Sequence, residues 1–240
     1  MRLDLYLQQT KNISRTKAQE IIKQNMVFVD KKNISKPSFE VNENNLVEIC
    51  GELCQYVSRA GLKLEGACKQ FDISLKDKIV LDIGSSTGGF SDYCLQNGAK
   101  KVYCVDVGEN QLAERIRNNP NVVVMEETDI RNLTKKQVSD INFVVCDVSF
   151  ISLTKISFKI AELLNSLDMG IILVKPQFEC GKNIAKKCKG VIKDDKIHKQ
   201  VIDAVSSDFI SKEINVLKIA PSCIKGGDGN TEFVFLVQKK

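Results

Sequence analysis

The sequence feature that most constrains the fold is residues 80–90, Val-Leu-Asp-Ile-Gly-Ser-Ser-Thr-Gly-Gly-Phe. The apolar run that starts at Ile79 predicts a short buried strand, because aliphatic side chains occupy positions on both of its faces. Six small residues follow it, and apolar residues then return at helical spacing from Phe90. A strand, a glycine-rich turn and a helix in this order are typical of an α/β ligand crevice, where a ligand must approach the backbone closely.

The turn departs from the usual phosphate-binding patterns. It is not G-x-G-x-x-G, and it contains no lysine, which argues against a phosphate-clamping loop. An acidic residue, Asp82, precedes it, and the next apolar run (102–105) ends in Asp106, where a carboxylate can accept hydrogen bonds from ribose hydroxyls. These features resemble those of S-adenosylmethionine (SAM) methyltransferases, while an ordinary α/β turn is the alternative interpretation.

This resemblance implies that SAM is the cofactor. The residues it assigns to cofactor binding are Asp82, Gly84, Ser85, Thr87, Gly88, Gly89, Phe90 and Asp106. A further acid, Asp129, follows the third strand, where we expect it either to reach the adenine amine or to cap a helix.

The later part of the chain repeats the alternation of strands and helices. Apolar runs recur at 102–105, 122–125, 143–146 and 171–174, and a helix is expected over 152–166. This alternation predicts a parallel sheet covered by helices on both faces. Two final strands, 214–219 and 233–237, are joined by a segment with Pro221 and several glycines, which cannot house a crossover helix. We therefore expect them to be antiparallel neighbours.

Charge is distributed unevenly along the chain. Residues 1–36 contain eight Lys or Arg and three acidic residues, so their net charge of +5 equals that of the whole chain. A basic segment on a neutral body indicates a polyanionic partner. A solvated basic face without a partner is the alternative.

The N-terminal segment resembles the S4 RNA-binding module. The resemblance is carried by Arg2-Leu3-Asp4, by residues 14–18 (Ser-Arg-Thr-Lys-Ala) at the start of a second helix capped by Ser14, and by residues 27–30 (Val-Phe-Val-Asp). It implies that Arg2, Arg15 and Lys17 contact RNA phosphates; a small helical cap is the alternative. The fold class expected is therefore α/β: a Rossmann-like methyltransferase sheet with a terminal antiparallel strand (58–240), preceded by a small α+β S4-like domain with a junction at 51–55 (1–57).

The cysteines and the termini indicate a cytoplasmic location. Nine cysteines form no C-x-x-C pair, and several lie in apolar runs, as expected of reduced, buried thiols. A zinc site built from Cys50, Cys54, Cys180 and Cys188 is the alternative. The sequence shows no signal-peptide region and no run of membrane-spanning length.

Polar residues at strand ends indicate the reaction. Asp147 and Lys175 each follow an apolar strand, Glu232 precedes the last strand, and Lys63 lies on the helix before the first. A lysine at the end of an apolar strand needs partners, although it can also extend its ammonium group to water. The set resembles the Lys-Asp-Lys-Glu tetrad of FtsJ-type ribose 2′-O-methyltransferases.

Together with the S4-like segment and the junction sequence 57–64 (Val-Ser-Arg-Ala-Gly-Leu-Lys-Leu), the tetrad makes the whole chain resemble the TlyA family, which is often labelled haemolysin. The resemblance implies methyl transfer to the 2′-hydroxyl of a cytidine in ribosomal RNA, with no metal and no membrane partner. Lys175 would act as base or orient the hydroxyl, and Arg59 would contact RNA. The family's longer form carries a tryptophan-containing junction; this chain has no tryptophan, and its resemblance to the shorter form implies the small ribosomal subunit.

Other activities are less well supported by the sequence. The segment Asp147-Val148-Ser149-Phe150 differs from the Asp/Asn-Pro-Pro-aromatic pattern of exocyclic-amine enzymes, and Cys223 is a weak candidate for the nucleophile of a cytosine-C5 enzyme. The single histidine, His198, lies in a charged helical stretch and is expected at the surface. A ribosome assembly factor without methyl transfer and a pore-forming haemolysin remain alternatives from other classes.

Overall fold

The computed structural model describes residues 1–11, 13–23, 26–49 and 55–240. The chain divides into two compact units, Met1–Gln55 and Tyr56–Lys240. The expected junction lies outside the described residues except for Gln55, and so do Cys50 and Cys54 of the zinc-site alternative. Tyr56 packs edge-on against Tyr93, with ring centroids 5.6 Å apart, at the start of the second unit.

The first unit packs two helices against a small antiparallel sheet whose central strand is β1. Its elements are α1 (Leu3–Lys11), α2 (Arg15–Lys23), β1 (Val27–Val29), β2 (Lys32–Asn33) and β3 (Val47–Ile49). Ser14 caps α2 as predicted, since its Oγ accepts a hydrogen bond from Lys17 N at 3.1 Å. Aliphatic side chains fill the space between the helices and the sheet: Leu3, Leu7, Ala18, Ile21, Ile22, Val27, Val29 and Val41.

The second unit is built on a seven-stranded sheet. Its helices are α3 (Ala60–Phe71), α4 (Gly89–Gln96), α5 (Glu114–Arg117), α6 (Ser157–Leu163), α7 (Pro176–Glu179), α8 (Lys182–Lys187) and α9 (Asp195–Ser211). Its strands are β4 (Ile79–Ile83), β5 (Lys101–Val105), β6 (Val122–Met125), β7 (Phe143–Cys146), β8 (Met169–Val174), β9 (Ile214–Pro221) and β10 (Phe233–Lys239). Two 3₁₀ turns, Ile130–Asn132 and Leu153–Lys155, complete it.

The strand order places β4 near the centre of the sheet. The order is β6-β5-β4-β7-β8-β10-β9, with the first five strands parallel and β10 antiparallel to both of its neighbours. The predicted α/β class and the terminal antiparallel pair are thus confirmed. Because parallel strands β4, β5, β7 and β8 end at one edge of the sheet, the residues that follow them converge there.

The helical segment expected near 152–166 is present but shorter: the 3₁₀ turn Leu153–Lys155 is followed by α6, which ends where the backbone of Leu164 becomes extended at ψ 146°. The expected surface position of His198 is wrong. His198 is buried, with 7% exposure. It shares the inward stripe of α9 with Val201, Val205 and Phe209 at helical spacing, and the charges of that stretch lie on the other faces.

Among the described residues, no helix is both long and apolar enough to cross a bilayer.

Candidate active site

The four residues of the expected tetrad meet at the carboxyl edge of the sheet. Asp147 follows β7 and Lys175 follows β8. Glu232 immediately precedes β10, whose first residue pairs with the last residue of β8, Val174. Lys63 reaches the same edge from α3. Residues far apart in sequence therefore form one cluster because neighbouring strands end together.

The cluster is held by three ion pairs. Lys175 Nζ lies 2.5 Å from Asp147 Oδ1, and Lys63 Nζ lies 2.7 Å from Glu232 Oε2. Lys63 Nζ is also 3.8 Å from the second oxygen of Asp147. Asp147 is thus shared between two ammonium groups, and all four side chains are largely buried. Each charge has an opposite partner, which is the condition under which charges persist away from water.

Lys175 has two further neighbours that fix its position. Its ammonium group donates a hydrogen bond to Ser149 Oγ at 2.9 Å and lies 5.9 Å from the centre of the Phe178 ring. Its backbone is extended because Pro176, which begins α7, disfavours a helical conformation in the preceding residue. Ser149 was not assigned a role from the sequence, although it lies two residues beyond Asp147.

The glycine turn contacts the tetrad directly. Gly84 has φ +80°, and a Cβ at this position would lie 2.9 Å from the carbonyl oxygen of Asp147. The N–H groups of Gly84 and Ser85 both donate to Val105 O, at 2.9 and 3.1 Å. A residue without a side chain is therefore required where the turn passes between β5 and the segment after β7.

Asp106 is oriented by backbone amides at the end of β5. Ser86 N donates to its Oδ2 and Gly108 N donates to its Oδ1, each at 2.8 Å. Each carboxylate oxygen can accept a second hydrogen bond. The side chain is thus fixed in place while it retains capacity to accept bonds from a diol.

A cavity of about 540 Å³ opens beside these groups. Its wall consists of Ile83, Gly84, Ser86, Val105, Asp106, Val107, Gln111, Thr128, Asp129, Ile130, Arg131, Asp147, Val148, Ser149, Phe150, Ile151 and Ile156. Its size falls within the range of small-molecule sites, roughly 300–1,000 Å³. The cavity wall therefore includes both Asp106, which follows β5, and Asp147 of the tetrad.

Six of the residues assigned to cofactor binding do not line this cavity: Asp82, Ser85, Thr87, Gly88, Gly89 and Phe90. Asp82 lies in β4, Ser85, Thr87 and Gly88 belong to the turn itself, and Gly89 and Phe90 begin α4. Phe90 is buried in the core, and the positive φ of Gly88 (+90°) starts α4. A Cβ on Gly89 would lie 2.2 Å from Ser58 Oγ. Gly88, Gly89 and Phe90 thus take part in close packing, and a role of the six residues in cofactor binding stays a prediction.

Asp82 is fully buried below the turn. Ser91 Oγ donates a hydrogen bond to its Oδ2 at 2.6 Å. Its Oδ1 has no hydrogen-bond partner among the described residues. Burial raises the pKa of Asp82 to about 7, because the charged carboxylate is poorly solvated there, although the Ser91 hydroxyl acts in the opposite direction.

Asp129 is a cap, as one of its two expected roles required, and its contact with an adenine amine stays a prediction. It lies in the cavity wall and also caps the 3₁₀ turn Ile130–Asn132, accepting a hydrogen bond from Arg131 N at 2.9 Å. The Arg131 guanidinium pairs with the same carboxylate at 2.5 Å and holds the pKa of Asp129 below its usual value.

Phe150 is the most exposed aromatic side chain at the cavity. It is 92% exposed and adopts a positive φ of 64°, an uncommon conformation for a bulky residue. Its ring centroid lies 5.1 Å from that of Phe178, which in turn lies beside Lys175. The sequence shows that Phe150 lies three residues after Asp147, which places it near the predicted tetrad. The exposure of its side chain and its positive φ could not be predicted from the sequence.

The arginines expected to contact RNA in the first unit are organised by one buried acid. Arg2 and Arg15 both pair with Asp4, at 2.9 and 3.1 Å, and Gln19 donates to the same carboxylate. These bonds hold the pKa of Asp4 well below its usual range, the bond from Arg2 most of all. Lys17 is half-buried on α2. In the second unit, Arg59 is exposed at the N-terminus of α3.

These observations define a methyltransferase-type α/β unit that follows a small two-helix unit. Comparison with known proteins agrees with this class. Residues 56–239 match the FtsJ-like methyltransferase model, and residues 1–47 match the S4 domain model.

Close relatives span nearly the whole chain. "Hemolysin A" of Brachyspira hyodysenteriae is 41% identical over 98% of both chains. The "23S rRNA (cytidine-2'-O)-methyltransferase TlyA" of Campylobacter jejuni is 39% identical over 98% of both chains. The solved structure of a "putative hemolysin" from Streptococcus thermophilus superposes with a TM-score of 0.80 at 35% identity, covering 100% of this chain and 88% of that one. The chain belongs to the FtsJ-like methyltransferases, and within them to the S4-containing TlyA family.

Proposed function

We propose that this chain transfers the methyl group of SAM to the ribose 2′-hydroxyl of a cytidine in ribosomal RNA. The observation that carries the proposal is the paired cluster of Lys63, Asp147, Lys175 and Glu232, whose member Asp147 lines a cavity bordered by a glycine turn and Asp106. The choice of cytidine follows the Campylobacter relative, which is named a 23S rRNA (cytidine-2'-O)-methyltransferase. Methylation takes place in the cytoplasm, where ribosomal RNA is found.

The cavity suits an adenosyl cofactor. Asp106 offers two oriented acceptor oxygens for a ribose diol, and Gly84 leaves room for close approach to the backbone. Asp129 and Thr128 lie in the same wall as candidates for contact with a base. The other residues assigned to the cofactor from the sequence lie in β4 (Asp82), in the turn itself (Ser85, Thr87, Gly88) or at the start of α4 (Gly89, Phe90). When bound, SAM supplies an electrophilic methyl carbon on a positively charged sulfur.

The tetrad would activate the RNA hydroxyl. A ribose hydroxyl is a weak nucleophile near neutral pH and must lose its proton as it attacks. Lys175, whose Nζ is hydrogen-bonded to Ser149 of the cavity wall, would orient the hydroxyl; to act as base it would first release its ammonium proton to solvent and then, as the neutral amine, accept the hydroxyl proton. Lys63 would remain beside Asp147 throughout, so this carboxylate keeps a cationic partner.

Glu232 would act by holding Lys63. Its carboxylate is 2.7 Å from the Lys63 ammonium and nearly inaccessible to solvent. Proton transfer to a positioned base contributes about 10²–10⁴ in rate, and the remaining acceleration would come from alignment of the hydroxyl with the methyl carbon.

Phe150 provides a candidate surface for the target base. A base that leaves an RNA helix or loop is commonly stacked on an aromatic side chain. Phe150 is exposed, borders the cavity and lies three residues from Asp147. We propose that the cytosine ring stacks on Phe150 while its ribose meets Lys175, and that Arg2, Arg15, Lys17 and Arg59 contact phosphates elsewhere on the RNA.

The test is methyl transfer from tritiated SAM to purified small and large ribosomal subunits, followed by mapping of the modified nucleotide. We expect label on the 2′-oxygen of a cytidine. Resemblance to the shorter form of the family favours the small subunit, whereas the Campylobacter relative is named for 23S RNA, so both subunits are needed. Binding to subunits without incorporation would favour the assembly-factor alternative, and lysis of erythrocytes without incorporation would favour the pore-forming one.

A further inference from the structure

A second concentration of positive charge lies in the methyltransferase unit. Residues 182–193 contain five lysines (182, 186, 187, 189 and 193) and no acidic residue. All five are exposed, and none forms an ion pair with any carboxylate in the described part of the chain. The chain beyond residue 36 is neutral as a whole because acidic residues, including Asp194 and Asp195 directly after the segment, offset these lysines.

The segment has a defined backbone. Helix α8 ends in a turn in which Lys189 and Gly190 have positive φ values of 50° and 79°. Gly190 N donates to Ala185 O at 2.9 Å, which closes the last helical turn in the manner of a glycine C-cap. Ile192 then enters the core with 1% exposure. The lysines are therefore carried on a fixed backbone.

Two buried polar side chains anchor this backbone. Asn230 accepts a hydrogen bond from Ile192 N at 2.8 Å and donates to Gly190 O at 2.9 Å. The His198 ring nitrogen Nε2 lies 3.1 Å from Ile192 O. Asn230 and His198 are 1% and 7% exposed. Buried polar groups of this kind hold a specific conformation, because leaving either of them unpaired would be costly.

The anchored segment lies next to the tetrad at both of its ends. On one side, α7 begins directly after Lys175, and Gly181 leads from α7 into α8. On the other side, Asn230 is two residues before Glu232, a separation of about 7 Å in extended chain. The lysines are thus carried on the connection that leaves the carboxyl end of β8 directly after Lys175.

We propose that these lysines form a second RNA-binding surface that contacts phosphates flanking the target nucleotide. This inference rests on the proposed function and adds a partner surface to the same site. Lysine is suited to phosphate contact as a compact point charge, and contacts of this type set position without reading sequence. Because the backbone is already ordered, binding requires ordering of the side chains alone, which limits the entropic cost.

The first test replaces Lys182, Lys186 and Lys187 by Ala together, which removes three charges and keeps α8 helical. The matched control replaces Lys76, Lys100 and Lys136 by Ala; these exposed lysines precede β4, β5 and β7, toward the opposite edge of the sheet. Equilibrium binding to purified ribosomal subunits is measured across a salt series. The α8 variant should bind at least about 10-fold more weakly and lose roughly 0.7–0.9 units of salt slope per lost contact. The control should match wild type.

A second variant keeps every lysine and removes an anchor. His198→Phe preserves a ring beside Phe233 but cannot bond to Ile192 O. It should weaken subunit binding less than the triple variant, while SAM binding measured by calorimetry stays unchanged in both. Wild-type affinity and salt slope in the α8 variant, or an equal loss in the control, would overturn the inference. Failure of the proposed function would look different: wild type would bind subunits without methylating them.

Discussion

Arg15 Nε lies 3.1 Å from Asp4 Oδ2, and Arg2 Nε lies 2.9 Å from the other oxygen of the same buried carboxylate. Two half-exposed guanidinium groups are therefore held side by side on one acid. The three side chains together carry a net charge of +1, and both guanidinium groups keep about half of their surface exposed to solvent. A pair preorganised in this way can bind phosphate with little further loss of side-chain freedom.

RNA affinity should therefore depend on the first unit. Arg15→Ala combined with Lys17→Ala is expected to weaken binding to ribosomal subunits and to flatten its salt dependence, because two cations are lost. Filter binding over a range of salt concentrations measures both quantities. Lys76→Ala combined with Lys100→Ala removes the same charge from the other unit and should leave the slope intact. An unchanged slope in the Arg15 and Lys17 variant would show that RNA docks elsewhere.

Lys175 should be required for turnover and dispensable for SAM binding. Lys175→Ala is expected to reduce single-turnover methylation by about 10²–10⁴, because no group remains to orient or deprotonate the hydroxyl. Lys175→Arg should also fail, since a guanidinium stays protonated and is broader than an ammonium group. SAM titration of both variants is the control. Near-normal turnover of Lys175→Arg would exclude proton abstraction and leave an electrostatic role.

Asp106 should determine cofactor affinity. Asp106→Ala removes both acceptor oxygens proposed for the ribose diol and should weaken SAM binding by about 10–100-fold, as expected for loss of hydrogen bonds to a charged group. Calorimetry of the purified protein measures this directly. Asp203→Ala, at an exposed position on α9, is the matched control. Equal affinities in the two variants would remove the ribose assignment.

Phe150 should contribute to RNA recognition close to the proposed site of methyl transfer. Phe150→Ala is expected to raise the subunit concentration needed for half-maximal methylation by roughly 5–150-fold, because stacking of one base contributes about 1–3 kcal/mol. Phe150→Tyr keeps an aromatic face and should remain near wild type. SAM affinity should not change in either variant. A Phe150→Ala enzyme with normal concentration dependence would contradict a stacking role.

Asp82 should make stability depend on pH. Its pKa in the folded chain is about 7 and the ordinary value is 3.8, so between these values the folded state retains a proton that the unfolded chain has lost. Raising the pH through this window therefore lowers the free energy of unfolding. The asparagine of the Asp82→Asn variant cannot ionise, so the free energy of unfolding of this variant does not fall for this reason as the pH rises.

The free energy of unfolding of Asp82→Asn relative to wild type should thus increase from about pH 4 to about pH 7 and stay constant above. Urea titrations of the SAM-free protein at several pH values measure the difference. A difference independent of pH would show that Asp82 titrates normally.

Much of this arrangement follows from the sequence because its causes are local. Apolar runs mark the buried strands, and the ends of parallel strands fall at one edge, which is why Asp147, Lys175 and Glu232 could be grouped in advance. Their catalytic roles stay predictions. The structure adds contacts that depend on loop conformation, such as the bond from Lys175 to Ser149 and the positive φ of Phe150.

His198 shows the limit of reasoning from composition. The charges around it indicated a surface position, but helix periodicity places its side chain on the buried face of α9. Its bond to Ile192 and that of Asn230 join segments separated by 6 and 38 residues. Pairings of this kind are decided by tertiary packing, which no local pattern records.

The position of β10 between β8 and β9 also affects how the protein is made. Glu232 and β10, which follows it in the sequence, emerge from the translating ribosome after Lys63, Asp147 and Lys175. Until then Lys63 lacks its 2.7 Å partner and β8 has an unpaired edge. A nascent chain without β10 therefore still lacks the complete cluster of Lys63, Asp147, Lys175 and Glu232, which forms only when β10 pairs with β8.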